Sequence, residues 1–260
     1  MTNAKIKLAL GISAAIMLAG GATTVALSKD TAGDDLSSSQ IFQKAQANYA
    51  SLTSYSDEGR IVATMNTTTI TTSFTTRLAR PNYYRIEWEQ TIESFYSTTK
   101  TQAQAVWSLG VRNFLEMGEG PQYEETREIA LVKATETSGG AAGTVPRTFF
   151  NMQWGDQLGG SVFSEYRQTD EKVGTEDCYV FSRKSQGRTR TLWIGKRDFL
   201  IHQVRTVTTA EAMQALLNRA VTGHHEIISD IQSFTMTETH THIVVNKLFL
   251  RSDFVPENGE

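Results

Sequence analysis

The sequence contains little cysteine and little proline. Its 260 residues include one cysteine and four prolines. Because Cys178 has no second cysteine to pair with, an internal disulfide and a cysteine-rich metal site are both excluded. We interpret Cys178 as a buried thiol without a redox role, and cysteine usage gives no information about the compartment.

The chain also lacks the common catalytic and phosphate-binding motifs. The segment Gly159-Gly160-Ser161-Val162-Phe163 lacks the last glycine of a G-x-S-x-G nucleophile elbow and is typical of a turn. A Walker A loop and a G-x-G-x-x-G loop do not occur in the sequence. We therefore expect a non-enzymatic protein without a cofactor.

Positive and negative side chains are present in nearly equal numbers. The formal net charge is −3, and charged residues make up 20% of the chain. A nucleic-acid partner would favour a basic stripe, so we expect none. The hydrophobic content of 39% suits an ordinary soluble globular domain, which we expect to be a monomer.

The longest apolar run lies at the N-terminus. Lys5 and Lys7 accompany a stretch from Ile6 to about Leu27, near the roughly 20 residues that span a bilayer. Residues 1–27 are predicted to be a cleaved signal peptide or an uncleaved membrane anchor, with a buried core helix as a third reading. Either of the first two places the remainder in the periplasm or on the extracytoplasmic face of the envelope, and an uncleaved leader would associate it with the inner membrane.

Beyond a polar linker at residues 28–36, residues 37–260 are predicted to form one domain. A helix at Ile41–Leu52 has apolar side chains at helical spacing, and any of Ser37 to Ser39 could cap it. From Tyr55 onward the period drops to two, which indicates sequential strands joined by short connections. No alternation of strands with helices is present, so a parallel sheet is not expected.

The clearest strand begins at Tyr83. Tyr84, Ile86 and Trp88 fall on one face, whereas the residues between them are charged and are expected to face water. Pro81 cannot donate to a strand ladder and therefore belongs in the preceding turn or at the start of the strand. The predicted fold class is α+β, a curved antiparallel meander or unclosed barrel covered by helices.

Four helical segments are available to cover such a sheet. They are Ile41–Leu52, Glu124–Glu136, Pro146–Trp154 and Ala210–Ala220, the third preceded by the helix-start signal Thr144-Val145-Pro146. The concave face of a curved sheet must hold either side chains or a ligand. The apolar faces of these helices could therefore form a plain core or line a cavity.

Histidine is the one candidate for a metal site. His240 and His242 are predicted to share one face of a strand, about 7 Å apart along the chain. With His224 or His225 and Glu226 they could bind zinc. The alternative, which we prefer, is a solvated strand face, so no metal site is predicted.

Three short segments resemble the LolA family of lipoprotein carriers. Arg80-Pro81-Asn82-Tyr83-Tyr84 is similar to its R-P-N/G-x-F segment, and Leu200-Ile201-His202-Gln203-Val204 is similar to a later strand. Residues 249–259 resemble the F-x-F-x-P-P-x-G close of that family, with Glu257 in place of the second proline. The match spans most of residues 37–259.

The resemblance implies an unclosed antiparallel barrel with a helical lid that binds acyl chains. It implies that Arg80 acts as a latch by hydrogen-bonding to the lid. The candidates for the lipid cavity are Tyr84, Ile86, Trp88, Phe149, Phe150, Met152 and Leu216.

Three functions follow as hypotheses. The first is a non-enzymatic envelope protein of the carrier or chaperone type that binds an acyl chain, lipid or lipoprotein. The second is an anchored sensor or regulator, resembling RseB of the same fold, that binds a protein or lipid partner. The third and least favoured is a metal-binding hydrolase that uses the histidines. An N-terminal anchor would favour the sensor, because a tethered protein does not shuttle.

Overall fold

The computed structural model describes residues 36–152, 158, 166–220 and 232–256, with the side chains of the helix at 210–220 described as far as residue 215. The helices of the described residues are α1 (Ser38–Ser51), α2 (Arg127–Thr137), α3 (Thr144–Phe149), α4 (Ala210–Ala220) and a 3-10 helix (Arg251–Phe254). None of them is long and apolar enough to cross a membrane.

The strands of the described residues are β1 (Ser54–Met65), β2 (Thr68–Ala79), β3 (Tyr83–Glu93), β4 (Thr98–Lys100), β5 (Gln104–Leu109), β6 (Asn113–Glu116), β7 (Pro121–Glu124), β8 (Glu171–Val173), β9 (Glu176–Ser185), β10 (Arg188–Gly195), β11 (Ile201–Thr208) and β12 (Phe234–Val245).

These strands form one antiparallel sheet of twelve strands. Its order is β7-β6-β5-β3-β2-β1-β12-β11-β10-β9-β8, with β4 paired to β3 outside this path. The sheet is not closed, because β7 and β8 end the order on opposite sides. The predicted fold class, an unclosed antiparallel sheet with covering helices, is confirmed. Two meanders, β1–β7 and β8–β12, join where β12 pairs with β1.

Alternation along the strands separates an inner face, which the helices cover, from an outer face. Tyr84, Ile86 and Trp88 lie on the inner face, and each is 2% exposed or less. The β3 alternation therefore predicts the buried face correctly, and the turn before β3 contains Pro81 as expected.

The opposite face of β3 is less exposed to solvent than its charged residues predict. Arg85 is only 8% exposed, because the C-terminal segment lies across it and the Val255 carbonyl accepts a hydrogen bond from Arg85 Nη1 at 2.7 Å. Arg85 Nη2 also donates to Glu87 Oε1 at 2.5 Å. Both Nη groups of this buried guanidinium are thus hydrogen-bonded, whereas its Nε is buried without a partner among the described residues.

Side-chain caps begin two of the helices, and the serine cap of the first is the one that the sequence predicts. Ser37 caps α1 and forms a capping box with Gln40, and Thr126 caps α2 by accepting from Ile129 N. The start of α3 differs from the prediction. Gly143 is its N-cap residue and makes no side-chain cap, because the Thr144 hydroxyl donates instead to Glu238 Oε2 at 2.5 Å.

Cys178 is a buried thiol, as predicted. It packs with Val180 and Trp193 in a small cluster on the outer face of β9 and β10. Burial raises the pKa of the Cys178 thiol to about 12, so the thiolate that oxidation or metal binding requires does not form at neutral pH.

Candidate functional site

Arg80 lies in the turn between β2 and β3, where it contacts two helices. Its Nε donates to the Leu52 carbonyl at 2.9 Å, and its Nη2 donates to the Tyr49 carbonyl at 3.1 Å. Both acceptors belong to the C-terminal end of α1, where carbonyls lack partners within the helix. Nη2 also donates to the carbonyl of Phe149, the last residue of α3, at 2.6 Å. One side chain therefore joins the sheet, α1 and α3.

A second arginine lies on the same pair of aromatic rings. The Arg80 guanidinium is 4.6 Å from the centre of the Phe149 ring, and that of Arg127 is 4.5 Å from the centre of the Phe150 ring. Cations over aromatic faces are attracted by the ring quadrupole. Burial lowers the pKa of Arg80, and the charge of Arg127 lowers it further. Arg80 still remains charged, since an arginine side chain does not lose its proton in a protein.

The predicted cavity residues on β3 and at the end of α3 lie in one core. Tyr84, Ile86, Trp88, Phe149, Phe150 and Met152 all belong to the same cluster of buried side chains, and each is 6% exposed or less. The Tyr84 and Phe150 rings meet edge to face at 6.0 Å. The structure thus brings these six residues together between the sheet and α3. The side chain of Leu216 lies outside the described residues.

A buried network of ionisable groups lies beside this core. His240 Nδ1 is 2.5 Å from Asp57 Oδ2, and His240 Nε2 is 3.2 Å from Glu238 Oε1. Tyr55 donates to Asp57 Oδ2 at 2.9 Å, and the Thr144 hydroxyl of α3 donates to Glu238. Asp57, Glu238 and His240 are each 4% exposed or less. The network therefore fastens the start of α3 to β1 and β12.

The two carboxylates set the protonation of His240. Burial alone would lower the pKa of His240, but the charge of Asp57 and the hydrogen bonds to Asp57 and Glu238 raise it to about 10. The imidazole is therefore a buried cation at neutral pH, with Nδ1 hydrogen-bonded to Asp57 and Nε2 in an ion pair with Glu238. A protonated imidazole has no lone pair for a metal, so the network is an ion cluster rather than a ligand set.

The prediction that His240 and His242 share one face is wrong. The register between β1 and β12 shifts at Ser56–Glu58, and His242 has a φ of 51°. This bulge turns His242 outward, where it is exposed and pairs with Glu58 Oε2 at 3.1 Å. A bulge adds one residue to a strand and so reverses the alternation beyond it. No three or more His, Cys, Asp or Glu of the described residues are placed to hold a metal, and residues 224–226 lie outside those residues.

A depression of about 780 Å³ lies over β1, β2, β3 and β12. Most of its lining comes from outer-face side chains, among them Glu58, Arg60, Thr75, Glu87 and Thr239. Of the predicted cavity residues, Trp88 borders it.

No protein-family model matches the sequence, and no curated protein sequence matches it. Several solved structures are similar to the chain over most of their length, and three of them are described here. LprF from Mycobacterium bovis is 9% identical, with 86% of this chain and 97% of that chain covered and a TM-score of 0.45. A LolA superfamily protein from Nitrosomonas europaea, NE2245, is 11% identical, with 85% and 99% covered and a TM-score of 0.26.

The third is a putative outer membrane lipoprotein-sorting protein domain from Vibrio parahaemolyticus. It is 8% identical, with 83% of this chain and 95% of that chain covered and a TM-score of 0.29. A LolA superfamily structure is thus among those that the chain resembles, as its short motifs indicate. At these identities and scores the likeness concerns the fold and assigns no role to any residue.

The buried ion network is the part of the site that sequence reasoning missed. Asp57 lies between Tyr55 and Gly59 at an inner-face position of β1, and Glu238 occupies an inner-face position of β12 opposite Ile61. The sequence did contain a signal for this network: each carboxylate occupies a position at which the alternation of the strand requires an apolar side chain. Its partner could not be found, because His240 is 183 residues away from Asp57 along the chain.

Proposed function

We propose that this is a non-enzymatic protein of the cell envelope that binds the acyl chain of a lipid or lipoprotein between the inner face of its sheet and α3. The observation that carries the proposal is the Arg80 contact with Leu52, Tyr49 and Phe149. This contact places a polar, reversible hydrogen bond at the C-terminal end of α3, and the apolar side chains at that end pack against the aromatic side chains of β3.

The two sides of this contact are chemically suited to an acyl chain. Tyr84, Ile86 and Trp88 form the wall of the sheet, and Phe150 and Met152 face them in the same core cluster. If α3 moved away, both surfaces would be exposed to water, which costs free energy in proportion to their apolar area. An acyl chain inserted between them would cover that area again.

The magnitudes allow such an exchange. Hydrogen bonds to a charged group each contribute about 1.5–3 kcal/mol, and one of the three Arg80 bonds, the one to the Phe149 carbonyl, holds α3. Burial of about 12 methylenes gains roughly 10 kcal/mol at about 0.8 kcal/mol each. A fatty acyl chain can therefore offset the loss of the latch.

The outcome for Arg80→Leu follows from this balance. The variant loses the bonds that favour the closed state, and a ligand that binds the open state then binds more tightly because less of its binding energy is used for opening. We expect several-fold more bound lipid at sub-saturating lipid and slower release. The measurement is the uptake and release of a fluorescent fatty acid by the full-length chain in a nonionic detergent.

Arg112→Leu is the matched control, since Arg112 is exposed in the turn between β5 and β6. Mass spectrometry of full-length protein extracted from its native envelope supplies the second measurement, because it reports the N-terminus and any bound lipid together. Equal uptake and release by wild type and Arg80→Leu would refute the latch. Absence of lipid from the native protein together with no fatty-acid uptake would refute the proposed function.

A further inference from the structure

Two leucines are largely exposed in the segment that follows β12. Leu248 is 95% exposed and Leu250 is 72% exposed. Between them, Phe249 packs on Phe254 of the 3-10 helix, with ring centres 5.5 Å apart. Leu250 has an extended backbone, with φ of −85° and ψ of 158°, and in extended chain successive side chains point to opposite sides. The two leucines therefore project from one side of the segment, away from the domain.

Hydrogen bonds fix this segment at both of its ends. At its start, Asn246 N donates to the Ser54 carbonyl at 3.0 Å, and the Lys247 carbonyl accepts from the Ser54 hydroxyl at 2.6 Å. At its end, Leu250 N donates to Asp253 Oδ2 at 2.7 Å. Neighbouring apolar side chains that a fixed backbone holds in water are typical of an interaction surface.

Cations flank the two leucines. Lys247 and Arg251 are both exposed, and Lys247 Nζ lies 5.4 Å from the centre of the Phe249 ring. An exposed apolar pair with a cation on either side matches a bilayer that contains anionic lipids, because apolar groups enter the acyl boundary while cations meet the headgroups. The segment thus has charge complementarity to an anionic membrane, although the whole chain has a net charge of −3.

A second exposed apolar pair lacks these flanking cations. Phe95 and Tyr96, in the turn between β3 and β4, are 78% and 91% exposed, and Glu93, serines and a threonine surround them in the sequence. Glu93 lies opposite Thr69, which lies opposite Thr64 near the end of β1. This turn is therefore at the far end of the sheet from the leucine segment, which is bonded to the first residue of β1.

The leucine segment lies at the same end of the sheet as the Arg80 contact. Ser54, to which the segment is bonded, comes two residues after Leu52, whose carbonyl accepts from Arg80. Arg80 also binds the C-terminal end of α3 through the Phe149 carbonyl. A membrane that meets the two leucines would therefore lie beside the helix end that has to move to admit an acyl chain.

We propose that Leu248 and Leu250 insert into the interface of an anionic membrane, with Lys247 and Arg251 at its headgroups. The docked domain presents the Arg80 end of its sheet to the bilayer, so an acyl chain passes between membrane and protein without crossing water. The docking itself does not depend on the proposed function, whereas the passage of an acyl chain rests on it.

The test measures membrane contact at single positions of the full-length chain, because its apolar N-terminal run could bind vesicles by itself. Leu248→Cys carries an NBD fluorophore, and the wild-type chain, in which Cys178 is buried, gives the labelling background. The vesicles contain phosphatidylcholine, alone or with an equimolar amount of phosphatidylglycerol, and a lipid with a nitroxide on its acyl chain. We expect the nitroxide to quench the probe, and the probe emission to shift to the blue, in the anionic vesicles.

Tyr96→Cys with the same fluorophore is the matched control, since Tyr96 is equally exposed at the other end of the sheet and its probe should stay unquenched. The cations are tested with the probe kept at Leu248. Lys247→Gln and Arg251→Gln should each lower the ratio of quenched to unquenched protein in anionic vesicles about fivefold, the contribution of one cation near an anionic surface. The ratio in phosphatidylcholine alone should not change.

A second measurement separates docking from the proposed function. The double variant Leu248→Asn and Leu250→Asn receives a fluorescent fatty acid either from vesicles or from a nonionic detergent. We expect its uptake from vesicles to be at least tenfold slower than that of wild type, because burial of one leucine favours docking by about that factor. Its uptake from detergent should equal that of wild type.

Each outcome bears on docking and on the proposed function separately. Quenching at Leu248 with no fatty-acid uptake from either source supports docking and contradicts the proposed function. Fatty-acid uptake together with an unquenched Leu248 probe in all vesicles overturns docking, leaves the proposed function intact and makes the leucine pair a surface for a protein partner. Equal quenching at Leu248 and Tyr96 also overturns docking, because the contact would not be specific to this segment.

Discussion

At the scale of single residues, His240 couples the fold to pH most strongly. Its native pKa of about 10 exceeds the ordinary unfolded value of about 6.5. Between these values the native state holds a proton that the unfolded chain has lost, so the free energy of unfolding falls as pH rises, by up to about 1.4 kcal/mol per pH unit. The stabilisation is fully present below about 6.5 and is lost as pH rises through about 10.

We therefore expect the stability of wild type to decline from pH 7 to pH 10, and His240→Gln to remove most of that slope. The variant should also be less stable at every pH, because Asp57 and Glu238 lose their cation. Urea unfolding at a series of pH values measures both effects. His242→Gln is the control, since His242 is exposed and should keep the wild-type slope. A His240→Gln slope parallel to that of wild type would contradict the assignment.

At the scale of elements, the connection between α2 and α3 fixes how α3 meets the sheet. Gly140 in this turn has a φ of 119°, a conformation that side chains rarely adopt. It is also held by two backbone bonds, from Gly140 N to the Thr135 carbonyl at 3.0 Å and from Gly143 N to the Gly140 carbonyl at 2.7 Å. Backbone strain here is therefore expected to shift the start of α3.

Gly140→Ala should lower stability by about 1–3 kcal/mol and reduce the hydrogen-exchange protection of α3. Gly118→Ala is a matched control for strain, because Gly118 has a φ of 100° in the connection between β6 and β7. In Gly118→Ala, the hydrogen-exchange protection of α3 should equal that in wild type. Equal protection of α3 in both variants would show that Gly140 does not position this helix.

Local signals account for most of the elements that the sequence predicts. The alternation of Tyr84, Ile86 and Trp88 reports a strand because the inner face of β3 is dry along its length. The serine before α1 predicts that helix because capping is a local interaction. The start of α3 could not be predicted, since Thr144 bonds to Glu238 of a strand 94 residues away instead of capping its helix.

The candidate site depends still more on distant pairings. Arg80 can be singled out from its motif, but its acceptors at Leu52 and Phe149 are known only once α1 and α3 are placed. Arg183 of β9 and Arg188 and Arg190 of β10 share one strand face. From the sequence this face would be interpreted as solvent-exposed, because nothing local shows that it is the inner one. Alternation gives two faces and does not say which of them the helices cover.

At the scale of the whole molecule, the C-terminal segment fastens the second meander to the first. After β12 the chain crosses the outer face of the sheet, and the 3-10 helix places Phe254 on Tyr83 with ring centres 5.5 Å apart. Arg77 Nη1 also lies 3.5 Å from the Asp253 carbonyl. The segment thus covers the outer side of β3, the strand whose inner side carries the proposed acyl-binding wall.

Phe254→Ala should therefore weaken the whole fold and not only the C-terminus. Phe254 is 2% exposed, and removal of a buried phenylalanine ring typically costs about 3–5 kcal/mol. Because β12 pairs with β1 between the two meanders, we expect the loss to appear as one cooperative transition at a lower urea midpoint. Leu250→Ala is the control, since Leu250 is 72% exposed and its truncation should change stability by less than about 0.5 kcal/mol. A midpoint equal to that of Leu250→Ala would mean that the meanders hold together without this segment, and two separate transitions in Phe254→Ala would mean that the pairing of β12 with β1 does not make them unfold as one unit.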